Sequence, residues 1–233
     1  MNRLLAAAIL SACAATAHAG FVPIDSVKTL PSGAHTDVSA KTVDIVGGNH
    51  FRSALLGLGV KTYTHGVSLA VDGPGTIDFY YFGKEAGYRN KFWAEGTGGT
   101  AAAYDTGFTP NVQNFFGPTH PASFGSITVD GGATVPLDLK FCAWSGSASN
   151  QTRVGCVTNA QNDALNIWAR QSMTFSINGN VAWIYWDDSG AGPDDNHDDS
   201  VLKAVFTAAP VPEPATLGLL AAGLLGAGFA ARR

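Results

Sequence analysis

The stretch Trp186-Asp187-Asp188-Ser189-Gly190-Ala191-Gly192-Pro193-Asp194-Asp195-Asn196-His197-Asp198-Asp199 gathers the residue types that hold hard cations. Six of the chain's 18 acidic residues lie in the 13 positions from Asp187 to Asp199. Carboxylates crowded this closely repel one another, and a divalent cation relieves the repulsion. Ca2+ suits such a segment, because it accepts oxygen ligands from Asp, Asn, backbone carbonyls and water in flexible geometry. The Gly- and Pro-rich centre lets the chain fold back so that Asp187 or Asp188 meets the distal acidic group. The expected ligands are Asp188, Asp194, Asn196 and Asp199, with Asp187, Asp195 and Asp198 as alternatives, since adjacent strand residues face opposite sides. The spacing does not fit an EF-hand, which needs a Gly at its sixth position and a Glu at its twelfth. The competing reading is a solvated acidic loop without an ion. His197 sits amid carboxylates, which favour its protonated form; a transition-metal role is the alternative for it. His35, His50, His65 and His120 are isolated and read as scattered surface histidines.

Other chemistry is sparse. Cys142 and Cys156 stand 14 apart, each in an apolar run, with the polar segment from Ser145 to Arg153 between them as a loop. An oxidising compartment favours a disulfide, against the alternative of two buried thiols. No G-x-S-x-G, H-E-x-x-H, P-loop or dinucleotide fingerprint occurs. Glu85 and Glu95 are the remaining candidates for a glycosidase pair, but nothing in the sequence fixes their separation. No enzyme is therefore expected. Nor is a nucleic-acid partner, because the net charge is -4 and no long basic run is present.

The elements that must position these residues are strands. Charged residues are only 14% of the chain and Gly numbers 28, so turn formers outweigh helix formers. Val67 to Val71 and Thr76 to Phe82 flank Asp72-Gly73-Pro74-Gly75, a hairpin signature. Ser126 to Val129 and Val135 to Phe141 flank Asp130-Gly131-Gly132, a second one. Ser172 to Ile177 and Asn180 to Trp186 flank Asn178-Gly179, the strongest hairpin signal. Val201 to Thr207 reads as a last strand, and one helical segment is expected around Asn49 to Gly57. Many short strands between frequent turns point to an all-β domain, an antiparallel β-sandwich of jelly-roll-like form. A two-residue loop at Asn178-Gly179 pairs Ile177 with Asn180, Phe175 with Ala182 and Met173 with Ile184. Met173, Phe175, Ile177, Ala182 and Ile184 then share one face, the expected core. Trp183 and Tyr185 fall on the other face. Either a sheet or loop covers them, or they form an aromatic platform for a sugar ring.

The two ends are of another kind. Arg3 and the apolar run from Leu4 to Leu10 precede Ala17-His18-Ala19, which reads as a signal peptide (residues 1–19) cut before Gly20. Leu10-Ser11-Ala12-Cys13 offers a rival lipobox reading, with Cys13 lipidated. From Ala215 to Ala231 no residue is charged, and as a helix the segment spans about 25 Å, the short limit for crossing a bilayer. Arg232 and Arg233 would stay in the cytoplasm. A plain membrane anchor accounts for this much. The β-domain is placed at residues 20–207 and a linker at 208–211, with the C-terminal segment at 212–233.

The order Pro212-Glu213-Pro214, apolar helix, Arg232-Arg233 resembles the PEP-CTERM sorting signal. The resemblance implies recognition and cleavage by exosortase, a membrane transpeptidase-like enzyme. It also implies a Gram-negative bacterium that makes exopolysaccharide, and a final place at the cell surface or in its matrix. The acidic stretch is similar to a loop near the end of many exported bacterial β-domains, including PEP-CTERM proteins and the DUF4114 type. There a strand ends in two acidic residues, a Gly-rich loop follows, and an acidic run leads into an apolar strand. Asp194, Asn196, His197, Asp198 and Asp199 occupy that run here, with Asn196 in place of an Asp and His197 in place of an aromatic. The segment Tyr80 to Asn90 also resembles one common to PEP-CTERM domains. The function expected is a non-catalytic surface or exopolysaccharide-matrix protein stabilised by Ca2+. The alternatives are a carbohydrate-binding module and, third, a polysaccharide hydrolase.

Overall fold

The computed structural model describes residues 19–25, 41–45, 48–108, 113–114, 122–131, 134–161, 171–188 and 197–210. In chain order the elements are β1 (Phe21–Asp25), β2 (Lys41–Asp44), α1 (Arg52–Gly57), β3 (Thr62–His65), β4 (Val67–Asp72), β5 (Gly75–Lys84), β6 (Arg89–Glu95), β7 (Ala101–Asp105), β8 (Gln113–Asn114), β9 (Gly125–Val129), β10 (Thr134–Pro136), β11 (Asp138–Ser147), β12 (Asn150–Thr158), β13 (Ser172–Asn178), β14 (Val181–Asp187) and β15 (Ser200–Ala208). The domain is all-β, and its paired strands run antiparallel. The expected signal peptide up to His18 and the apolar span 215–231 lie outside the described residues. Among the described residues no helix is long and apolar enough to cross a membrane.

The large sheet runs β2-β3-β13-β14-β15-β5, and β8 and β9 both pair with the far side of β5. A four-stranded sheet, β12-β11-β6-β7, and a three-stranded one, β1-β4-β10, pack on one of its faces. Aromatic rings join these layers. Phe141 of β11 stacks on Trp186 of β14 at 5.0 Å, Phe79 of β5 meets Phe92 of β6 at 5.2 Å, and Phe21 of β1 meets Phe206 of β15 at 6.1 Å. On the opposite face of the large sheet a smaller apolar cluster forms from Ile45, Phe51, Leu55, Tyr63, Phe82, Trp183, Tyr185 and Val201. Here α1 supplies Leu55, fully buried. A bulge sorts β5 between the two cores. Val201 opposes Gly83 while Leu202 opposes Tyr81, so Phe82 is the extra residue. Tyr81 accordingly enters the main core and Phe82 the smaller one.

The β13–β14 hairpin forms, with a different loop. Asn178 pairs with Val181 and Ile177 with Ala182, so Gly179 and Asn180 make the turn. Gly179 has φ 59 and Asn180 does not share the positive φ, the pattern of a type II′ turn with Gly first. The pairing is shifted by two residues from the expected one, and a shift of two preserves both faces. Met173, Phe175, Ala182 and Ile184 lie in the main core, with Ile177 packed at its margin.

Two expected hairpins are not hairpins. The strands flanking Asp72–Gly75 exist, but β4 pairs with β1 and β10 while β5 pairs with β15, β8 and β9. The turn is a corner between sheets. Likewise β9 pairs with β5 and β10 with β4, so these two strands do not form a hairpin with each other. The segment Ser145 to Arg153 is not a loop either. It is the hydrogen-bonded end of the β11–β12 hairpin, in which Cys142 lies opposite Cys156 and the two form a disulfide. Finally, β15 includes Ala208, and the Ala209 N–H donates to Pro74 O at 2.9 Å, so the sheet extends into the stretch expected as a linker from residue 208.

Candidate metal centre

Strand pairing brings the acidic residues to one end of the large sheet. Trp186 of β14 opposes Ser200 of β15, and Val201 of β15 opposes Gly83 of β5. The ends of these three strands therefore meet: Asp187 and Asp188 leave β14, His197 to Asp199 enter β15, and Lys84 and Glu85 leave β5. His197 has φ 54, a left-handed conformation uncommon outside Gly, which turns the chain sharply into β15. Asp187, Asp188, Asp198, Asp199 and His197 are all buried, and Lys84 is fully so.

The residues divide into three groups. In the first, the Asp188 N–H donates to Asp199 Oδ2 at 2.7 Å, and Asn90 Nδ2 donates to Asp188 Oδ2 at 2.8 Å and to Asp199 O at 3.2 Å. Gln171 Nε2 donates to Asp188 O at 3.1 Å. Asn90 Oδ1 is buried and accepts no hydrogen bond. Lys84 donates to Tyr88 O at 3.2 Å, and its charge favours the ionised forms of Asp188 and Asp199. In the second group, Asp198 Oδ2 accepts from the His50 N–H at 2.6 Å and lies 3.0 Å from His50 Nδ1. The Glu85 N–H donates to Asp198 O at 2.9 Å. In the third, His197 Nδ1 lies 3.8 Å from Asp187 Oδ2, and its ring packs edge-on against Tyr63 and His65.

Burial dominates the electrostatics. It pushes Asp188 up to about 6, against the hydrogen bond from Asn90 and the charge of Lys84. It pushes Asp198 up to about 6 despite both His50 contacts, and Asp199 well above the usual carboxylate range, with Asp188 adding repulsion. His197 is lowered to about 4 by burial, so it is neutral at pH 7. This reverses the expectation from sequence, because loss of hydration outweighs the neighbouring carboxylates.

Of the expected ligands, Asp188 and Asp199 are brought together, Asp187 and Asp198 lie in the adjoining groups, and Asp194, Asp195 and Asn196 are outside the described residues. Lys84, Glu85, Asn90 and His50 were not expected at the site. His50 is not an isolated histidine, and His65 is buried against Tyr63 and His197. Glu85 precedes β6 and Glu95 is its last residue, so the strand, on the order of 20 Å long, lies between them, which does not suit a pair sharing one glycosidic bond. The proposed aromatic platform is not one. Tyr185 is fully buried and Trp183 is 5% exposed, because β3, α1 and Ile45 cover that face.

Residues 210–233 match the family model of the PEP-CTERM protein-sorting motif. This C-terminal motif supports an exported protein that passes through the membrane and is sorted there. More particularly, the chain carries the signal that exosortase processes. Pro212, Glu213, Pro214, Arg232 and Arg233 fall within the matched segment. No curated protein and no solved structure matches the chain.

Proposed function

We propose that the chain is a non-catalytic protein of the cell surface or exopolysaccharide matrix of a Gram-negative bacterium. Its antiparallel, jelly-roll-like sandwich is locked by Ca2+ at the junction of β14, β15 and β5. One observation carries this reading: Asp188 and Asp199 are buried side by side, each raised toward neutrality by burial. Asn90 Oδ1, buried beside them without a hydrogen-bond donor, is an oxygen of the kind Ca2+ takes. Asp194 and Asn196, in the connection between them, complete the proposed ligand set with carbonyls and water. The test is calorimetry and thermal melting of the mature protein with Ca2+ and with chelator. Ca2+ at a hundredfold excess over Kd should add about 2.7 kcal/mol of stability. Asp188→Asn should abolish that gain, and Mg2+ should substitute poorly. No Ca2+ binding at millimolar concentration and no shift in melting would overturn the Ca2+ reading.

A second reading, carbohydrate binding, is favoured by a different surface. On the outer face of the four-stranded sheet Trp93 and Trp144 are partly exposed, with ring centroids 6.0 Å apart. Lys91 lies over Trp144 at 4.9 Å and Lys140 over Trp93 at 5.9 Å. Aromatic rings flanked by lysines suit an acidic sugar polymer. A glycan array in which Trp144→Ala loses all binding supports this reading; an array without hits on the wild type removes it.

A further inference from the structure

We propose that His50, Glu85 and Asp198 form a second metal site, selective for a borderline divalent transition ion of the Zn2+ class. One ligand atom of each residue lies within 4.8 Å of the others. A four-coordinate Zn2+ holds nitrogen and oxygen ligands at about 2.0–2.2 Å, which places them about 3.4 Å apart. Small side-chain rotations therefore close the site, and His50 Nδ1 is already 3.0 Å from Asp198 Oδ2.

The scaffold under these residues is fixed by backbone contacts. The His50 N–H and the Glu85 N–H both bond to Asp198, one to its carboxylate and one to its carbonyl. The turn carrying His50 is held by Asn49, whose Oδ1 accepts from the Phe51 N–H at 2.8 Å and whose carbonyl accepts from the Arg52 N–H at 3.1 Å. The Asp198 side chain is 0% exposed, and its Oδ1 makes no hydrogen bond. A carboxylate oxygen buried without a donor is costly to leave unpartnered. His50, 48% exposed at its side chain, leaves one side of the site open for a water ligand. The imidazole nitrogen separates this site from the all-oxygen group around Asp188 and Asp199, because imidazole suits Zn2+ whereas Ca2+ takes oxygen. The inference does not depend on the Ca2+ reading.

The test is calorimetric titration of the chelator-stripped mature protein with Zn2+, with Co2+ as a spectroscopic probe. One Zn2+ per chain is expected at submillimolar concentration, with release of protons. Co2+ should give visible absorption that Zn2+ bleaches. His50→Ala and Glu85→Gln, both at accessible side chains, should each weaken Zn2+ at least tenfold and leave any Ca2+-dependent rise in melting temperature unchanged. Absence of Zn2+ binding, or Zn2+ affinity unaltered in both variants, overturns the proposal and leaves His50–Asp198 a plain hydrogen-bonded pair. If Zn2+ binds as stated while Ca2+ has no effect, the second site stands and the Ca2+ reading falls.

Discussion

The Asp188 N–H donates to Asp199 Oδ2 at 2.7 Å, so a bond from backbone to carboxylate closes the connection between β14 and β15 at its base. Asn90, on β6, reaches both partners from the facing sheet. The two carboxylates are thus held in place by neutral donors.

If Ca2+ binds there as proposed, its affinity should depend on pH. The ion takes the deprotonated carboxylates, and burial raises Asp188 to about 6 and Asp199 well above its ordinary value. Protons therefore compete for the site across the range just above and below pH 6. Affinity is expected to fall about tenfold per pH unit below 6 for each ligand that takes up a proton. Titrations between pH 8 and pH 5 check this; affinity unchanged at pH 5 would contradict it.

The shift of His197 is opposite to that of the carboxylates, downward instead of upward. Its folded-state value is lowered from 6.5 to about 4 by burial. The stability it contributes is complete above pH 6.5 and is lost as pH falls toward 4, up to about 3 kcal/mol in all. His197→Gln should flatten the loss of melting temperature across that window. An identical acid profile for variant and wild type would show that His197 is not buried neutral.

The disulfide should matter for stability and not for the site. It closes a loop of 14 residues at the β11–β12 hairpin, for which chain entropy gives about 3 kcal/mol. Cys142→Ser/Cys156→Ser is expected to lower the melting temperature by about 5–10 °C. Ca2+ affinity should stay unchanged, because none of the hydrogen bonds around Asp188 and Asp199 comes from this hairpin. Mass spectrometry after alkylation of unreduced protein checks the bond itself.

Sorting is tested at Glu213, inside the segment that matches the PEP-CTERM motif. Glu213→Ala should leave the protein in the inner membrane with its C-terminal segment attached. Fractionation and intact mass report this, and equal processing of variant and wild type would count against a role for Glu213.

What the sequence made legible follows from the range of each signal. The faces of β13 and β14 were readable because a period of two survives a wrong turn, and Gly179-Asn180 for Asn178-Gly179 changed the register without changing the core. The glycine-rich corner after β4 was readable as a turn. Turn chemistry is local, however, and does not name the strand's partner. The carboxylates of the candidate site were legible as a cluster within 13 positions. Their neutral and nitrogen partners were not: Asn90 is 98 positions from Asp188 and His50 is 148 from Asp198. A single Asn or His at such a distance carries no pattern. Segment Tyr80 to Asn90, noted for its resemblance to other sorted proteins, was the one hint that Lys84, Glu85 and Asn90 belong together.

The placement of β15 bears on how the domain carries load. It lies between β14 and β5, hydrogen-bonded on both sides, and leads through Ala209 into the sorting segment. Tension applied at Pro210 while the C-terminal segment is gripped at the membrane runs along an interior strand. Pulled along its axis, the strand loads the ladders to both neighbours together, in shear, where an edge strand would have only one ladder to resist the pull. The domain can be held by its tail without being unravelled by it.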